Sequence, residues 1–244
     1  SVGTSGSPSV YGSSVTFTAT VLPATATGTV TFYDGATVLG TGTLTSGTAT
    51  FSTSTLNVSG SPHSITTSYA GSGIYGSSTS SAIPHTVNPA TLTYTANVVS
   101  RSYGTANPAF TGTVTGFIAP DTQASATTGT LAFTSTATIA SNAGSYPITG
   151  SGLAANNGNY IFVQAAGNAT ALTITPATPT ASITNSPVTY NGSAQSATVA
   201  CLGGGTATLV LGTGSGTNAG SYPATVDCAA SANYAAAAGL SAGN

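Results

Sequence analysis

The side chains in this chain that can do chemistry are few enough to name. Three carboxylates (Asp34, Asp121, Asp227), one cation (Arg101), two imidazoles (His63, His85) and two thiols (Cys201, Cys228) are present, with no Lys and no Glu. General acid–base work needs such groups converging on one point, and a metal site wants three or four ligands. The acids here are too few and too scattered for either, and calcium loops of the many-carboxylate kind are excluded for the same reason. One Arg leaves no footprint for a phosphate backbone, so nucleic acid is not expected as a partner. Two segments imitate known sites. Gly239-Leu240-Ser241-Ala242-Gly243 fits a nucleophile elbow, which works only on a sharp strand-to-helix turn with His and an acid nearby. Gly71-Ser72-Gly73-Ile74-Tyr75-Gly76 fits a dinucleotide loop, which needs a following helix, whereas Ser77-Ser78-Thr79-Ser80-Ser81 follows it. Both read as chance in a Gly/Ser-rich chain. No catalytic residue, metal ligand or cofactor is expected, and the protein is read as no enzyme.

The remaining polar side chains have structural readings. Asp34 is a turn residue beside Gly35, Asp121 follows Pro120 in a loop, and both His residues are structural. Asn57, Asn168 and Asn191 each start an Asn-x-Ser/Thr triplet and fit the N-glycosylation pattern. Lacking Lys, the chain cannot form Lys–Asn isopeptide cross-links.

The elements that must position these groups are strands. Val15, Phe17, Ala19 and Val21 fall on one face of their segment and Thr16, Thr18 and Thr20 on the other, the period-two pattern of a half-buried strand. Val30 and Phe32 repeat it before the Asp34-Gly35 turn signal. Gly or Pro interrupts nearly every long stretch, and the Ala235 to Ala238 run is too short for an independent helix. Only 2% of the residues are charged, against about a quarter in ordinary proteins. Yet 40% are hydrophobic, enough for packed cores. No run of about 18 apolar residues exists, so no membrane insertion is expected.

Repetition divides the chain. Asn142-Ala143-Gly144-Ser145-Tyr146-Pro147 recurs as Asn218-Ala219-Gly220-Ser221-Tyr222-Pro223, and Pro89-Ala90-Thr91 recurs as Pro176-Ala177-Thr178. The units are 1–88, 89–176 and 177–244, each near the size of a seven-strand sandwich. Short linkers should align them as an elongated rod. In the third unit Ala197, Val199 and Cys201 share one strand face, and Tyr222, Ala224, Val226 and Cys228 share another. Both cysteines extend an inward-facing set, as a disulfide between two sheets requires. The alternative is two buried free thiols. A disulfide would place the chain in an oxidising compartment.

Pro8-Ser9-Val10-Tyr11-Gly12, Gly28-Thr29-Val30-Thr31-Phe32-Tyr33-Asp34-Gly35 and His63-Ser64-Ile65 resemble the bacterial Ig-like repeat of large surface proteins. Units two and three resemble MBG-type repeats, through Tyr103-Gly104, the two Asn-Ala-Gly-Ser-Tyr-Pro runs, Asn159-Tyr160 and Asn233-Tyr234. The resemblance implies three tandem Ig-like β-sandwich domains, all-β, in an exported protein at the cell surface. It gives Tyr146 and Tyr222 a packing and corner role, and carries over no catalytic residue. Ala171-Leu172-Thr173-Ile174-Thr175 reads as the closing strand of unit two, whereas unit three stops at Ala242-Gly243-Asn244, where its own should begin, and unit one opens on Ser1-Val2, where a longer first strand is expected; 177–244 thus reads as an MBG-type domain lacking its last strand. Either the sequence is a window of a longer array, or a neighbour supplies the strand.

Edge strands are ordinarily guarded by charge, and this chain has almost none. The reading that follows is a non-catalytic extracellular structural protein, a subunit of a surface filament whose partner is itself (a homopolymer), joined end to end by strand donation. The alternatives are a stalk segment of a giant adhesin, with flanking repeats of the same chain as neighbours, and a glycan-binding module using Tyr33, Tyr75 or Tyr94.

Overall fold

The computed structural model describes all of residues 1–244, and its regular elements are nearly all strands. Compactness divides the chain differently from its repeats. One unit comprises Ser1–Tyr94, Val114–Leu131 and Ser151–Gln164; the other comprises Thr95–Thr113, Ala132–Gly150 and Ala165–Asn244. Residues of the middle repeat are thus divided between the two.

In the first unit, Val15–Thr20 lies between Val2–Thr4 and Thr48–Thr53, antiparallel to both. A second sheet runs Thr37–Thr43, Thr29–Asp34, His63–Tyr69, with Ser78–Thr79 and Ile83–His85 both pairing the last of these. Val15, Phe17 and Ala19 from the first sheet meet Val30, Phe32, Ile65 and Tyr69 from the second, while the intervening threonines face outward. This is a β-sandwich core built by period-two alternation. Thr37–Thr43 carries Gly40 because the Phe51 ring occupies the space a side chain would need. Below the sandwich, Ala90–Ala96 runs parallel to Tyr160–Gln164 over a smaller core of Ala90, Leu92, Ala126 and Tyr160.

The same unit holds a helical turn that strand periodicity could not reveal, Gln123–Ala126. Thr122 Oγ1 accepts from the Ser125 amide and Ser125 Oγ accepts from the Thr122 amide, a reciprocal cap.

The second unit is organised around Leu172–Thr175. That strand runs parallel to Val99–Ser102 on one side and antiparallel to Gly144–Tyr146 on the other. Leu172 and Ile174 are fully buried with Ile148, Ala137 and Ala171, packed by Val99, Tyr103, Phe110, Phe133 and Tyr146. In the third repeat, Thr180–Ile183 pairs Val199–Leu202, and Ala224–Cys228 lies between Ala207–Leu209 and Ala237–Gly243. The alanine run near the C-terminal end is therefore extended, and the final residues of the chain form a strand. That strand follows Asn233-Tyr234 in sequence as Tyr160–Gln164 follows Asn159, but it pairs differently, antiparallel to Ala224–Cys228 where Tyr160–Gln164 runs parallel to Ala90–Ala96.

Candidate functional site

Most of the ionisable side chains are engaged inside the fold. Asp34 accepts from the Ser64 amide through Oδ1 (3.0 Å) and meets His63 Nδ1 through Oδ2 (2.6 Å). The other ring nitrogen of His63 donates to the Asn57 carbonyl at 2.8 Å. The bond pins the 57–63 loop to the strand end that the Asp34-Gly35 turn leaves.

His85 is the nearest thing to a catalytic base. Its Nε2 lies 2.9 Å from Ser9 Oγ, the spacing of a nucleophile and its base. The other nitrogen faces Thr4 Oγ1 at 3.5 Å, not a carboxylate, and the ring is wholly buried against Phe17. Burial pushes the imidazole below its ordinary pKa, with the charge of His63 adding to the effect. The arrangement ties the Ser9–Val10 strand to the sandwich.

Asp121 joins the Ig-like repeat to the next. Tyr11 donates its hydroxyl to Oδ2 at 3.0 Å and Tyr160 donates to the same atom at 2.7 Å, with the two rings edge to face at 5.3 Å. Burial, then the Asp121 carboxylate, raises both phenols, Tyr160 to about 12. Neither serves as a base or nucleophile near neutrality. Alongside, Asn159 donates to Asn57 Oδ1 and accepts from the Val58 amide, both at 2.9 Å.

Arg101 is 7% exposed and meets no carboxylate. Its Nε donates to Asn107 Oδ1 (2.6 Å), Nη2 to the Thr138 carbonyl (2.5 Å) and Nη1 to the Ser102 carbonyl (3.2 Å). Asn107 is oriented in turn by donating to the Ala137 carbonyl. Parity held a signal for this: Arg101 shares a strand face with Val99, which packs on the core. Asp227 alone behaves as a surface group, exposed and accepting from the Gly239 amide at 2.8 Å.

Cys201 and Cys228 form a disulfide, their Cα atoms 5.9 Å apart. Tyr146 donates to the Asn142 carbonyl (2.9 Å) and Tyr222 to the Asn218 carbonyl (3.1 Å), the same bond in both copies of the repeated motif. Asn57 and Asn191 are exposed. Asn168 is not: it is 4% exposed and its Oδ1 accepts from the Ala96 amide, which leaves no room for a glycan in the folded chain. Tyr94 is likewise withdrawn as a sugar platform, being 3% exposed and stacked on Phe162. Tyr33 and Tyr75 are half-buried, and Tyr75 shares a hydrogen bond with Thr25. Gly71–Gly76 is a tight turn bridged by Ser72 and Tyr75, and Gly239–Gly243 lies in a strand, so neither has the helix its look-alike requires.

The third repeat carries an open groove of about 370 Å³ between residues 186–190 and 218–222. Val188 and Tyr190 stand 49% and 63% exposed along it. The backbone of 187–190 and of 220–222 pairs with no strand. Sequence reasoning expected a strand to be wanting in this repeat but named none of the residues that line the groove.

Comparison with known families places two of these regions. Residues 2–88 match the bacterial Ig-like domain (group 3), and residues 92–170 match the MBG domain (YGX type). No curated protein and no solved structure matches the chain. Both families are structural modules typical of bacterial surface proteins and adhesin stalks. The chain therefore carries a bacterial Ig-like domain followed by an MBG domain, the arrangement its Tyr-Gly and Asn-Ala-Gly-Ser-Tyr-Pro signatures imply.

Proposed function

We propose that this chain is a non-catalytic structural subunit of an extracellular, cell-surface fibre, joined to its neighbours by β-strand pairing. The observation that carries the reading is the disposition of charge. Asp34, Asp121, Arg101 and both imidazoles are spent on internal bonds, which leaves Asp227 as the exposed charged side chain. Strand edges without Lys or Glu have lost the usual electrostatic defence against addition of another strand. Near-zero net charge weakens repulsion between copies as well.

A second reading is a stalk segment of a large adhesin, with no polymerisation of its own. The Tyr11–Asp121–Tyr160 bonds favour it, because they tie one repeat to the next through side chains, as a load-bearing array would need. Under this reading 177–244 is a third MBG-type repeat, a boundary drawn from sequence repetition. Electron microscopy and sedimentation of the purified chain separate the two. Filaments with a regular axial repeat support the subunit; monomers at every concentration refute it and leave the stalk.

A further inference from the structure

We propose that the open edge of Tyr160–Gln164 pairs with the same edge of a second copy of this chain, antiparallel and about a two-fold axis at Phe162. The proposal rests on the reading above, that the chain works through strand pairing, and assigns the edge and the partner.

Among the edge strands of five residues or more, this one alone is unguarded. Thr37–Thr43 carries Gly40 and Gly42 and pairs through a register shift. The edge of Thr48–Thr53 is covered at Thr50, whose backbone lies where a side chain at Gly42 would go. Thr127–Thr134 is interrupted by Gly129, and Thr149–Ala155 by Gly150 and Gly152. Ala237–Gly243 contains Gly239 and meets its neighbour through shifts of register. Short strands, bulges, covering segments and glycine breaks are what keep one sheet from adding to another. Tyr160–Gln164 has no Gly, no Pro, no charge and an unbroken register with Ala90–Ala96.

The ladder shows which groups face the open side. The Ala90 amide donates to the Asn159 carbonyl, so residues 159, 161 and 163 bond to Ala90–Ala96 while the N–H and C=O of Phe162 point away from it. Tyr160 and Phe162 turn their rings to the core beneath, and Ile161 and Val163 stand 50% and 41% exposed on the outer face. A two-fold axis at Phe162 lets the two Phe162 backbones exchange both hydrogen bonds. It sets Ile161 of each copy opposite Val163 of the other, in the closer, non-hydrogen-bonded kind of pair. Both exposed apolar side chains of the strand then have an apolar β-branched partner, and the strand has no charge to repel its own copy. The match is of the strand with itself, and this makes a second copy the occupant. An edge this long spans about 17 Å and buries less than the about 1,200 Å² of a stable complex, so a single pair is weak. The contact is also closed. It joins chains two by two, and propagation of a fibre falls to another surface.

The test uses the full chain and two double variants on the exposed outer face. Ile161→Lys with Val163→Lys sets like charges opposite one another across the axis. Ile161→Lys with Val163→Glu sets each new cation opposite a new carboxylate. In the unsubstituted chain, exchange of the Phe162 amide is expected to slow at least about twofold between about 0.02 and 1 mM, with dimers in sedimentation velocity over the same range. The like-charge variant should lose both effects and the opposite-charge variant should keep them, with the amides of Val15–Thr20 reporting that each is folded. Exchange at Phe162 that ignores concentration overturns the proposal and leaves the edge to a partner other than a second copy. Slowing that persists in the like-charge variant, or equal loss in both folded variants, overturns it as well, since either excludes the antiparallel register. Filaments of the unsubstituted chain with Phe162 unprotected remove this inference and leave the fibre reading standing. Dimers protected at Phe162 that never lengthen uphold it and remove the fibre.

Discussion

Breaking the Cys201–Cys228 bond should loosen the third repeat and little else. The disulfide closes a separation of 27 residues. On the chain-entropy model such a loop restricts the unfolded ensemble by about 3.5 kcal/mol at 25 °C. The repeat has little else to fall back on: its buried apolar residues are Ala224, Val226 and Cys228, small side chains that exclude little surface from water. The double substitution Cys201→Ala, Cys228→Ala removes the cross-link with minimal loss of packing. Opening of Val199–Leu202 and Ala224–Cys228 should then become a few hundredfold more frequent, since each 1.4 kcal/mol is about a factor of ten. Native-state hydrogen exchange reads this directly, with the amides of Val15–Thr20 in the other compact unit as an internal reference. Reduction of the unsubstituted chain should reproduce the result. If exchange in the third repeat changes by less than about threefold in both experiments, the loop-closure argument is wrong and the repeat is held by its sheets alone.

Three further outcomes follow from the internal polar bonds. Asp121→Asn should cost about 1–2 kcal/mol in denaturant unfolding by weakening two hydroxyl bonds to a carboxylate. It should also lower the Tyr160 ionisation from about 12 in an ultraviolet pH titration; an unmoved titration refutes the assignment. Because the folded phenol is raised above its ordinary value of 10.0, its share of stability is present below pH 10 and is lost as pH climbs through about 12. His85 works in the opposite direction. Its folded pKa lies below 6.5, so the unfolded chain takes up protons first and stability falls as pH drops below 6.5. Thermal unfolding of His85→Gln between pH 7 and 5 should show a shallower acid decline than the unsubstituted chain, and an identical slope would sink the argument. Arg101→Leu leaves three oxygen acceptors without their donors and should cost about 1–3 kcal/mol, measured by chemical denaturation; a neutral effect would mean that water replaces the guanidinium at no cost.

Much of the architecture was legible because strand burial is a local pattern. The alternation at Val15, Phe17 and Ala19 states which side faces inward whatever the strand pairs with, and the structure buries those three residues. The inward parity of Cys201 and Cys228 carried the disulfide in the same way. Reasoning failed where the partner lies far along the chain. Asp121 read as a loop residue, and nothing near it in sequence announces Tyr11, 110 positions away, or Tyr160. Asn168 fitted a glycosylation triplet, but its carboxamide is taken up by the Ala96 amide, 72 positions distant. Tyr94 looked like an available aromatic until the parallel pairing with Tyr160–Gln164 placed Phe162 against it. The one α-helical turn escaped because its cap is a Thr–Ser pair, common in a chain this rich in both.

The sequence by itself determined an all-β chain of repeats with almost no charge to spend, since composition and period-two alternation are properties of neighbouring residues. Which of its few polar groups would be buried belonged to the tertiary structure alone. Burial of Arg101 and the sharing of Asp121 between two tyrosines each depend on what another part of the chain brings alongside. Pairing is a long-range event, and local order does not record it.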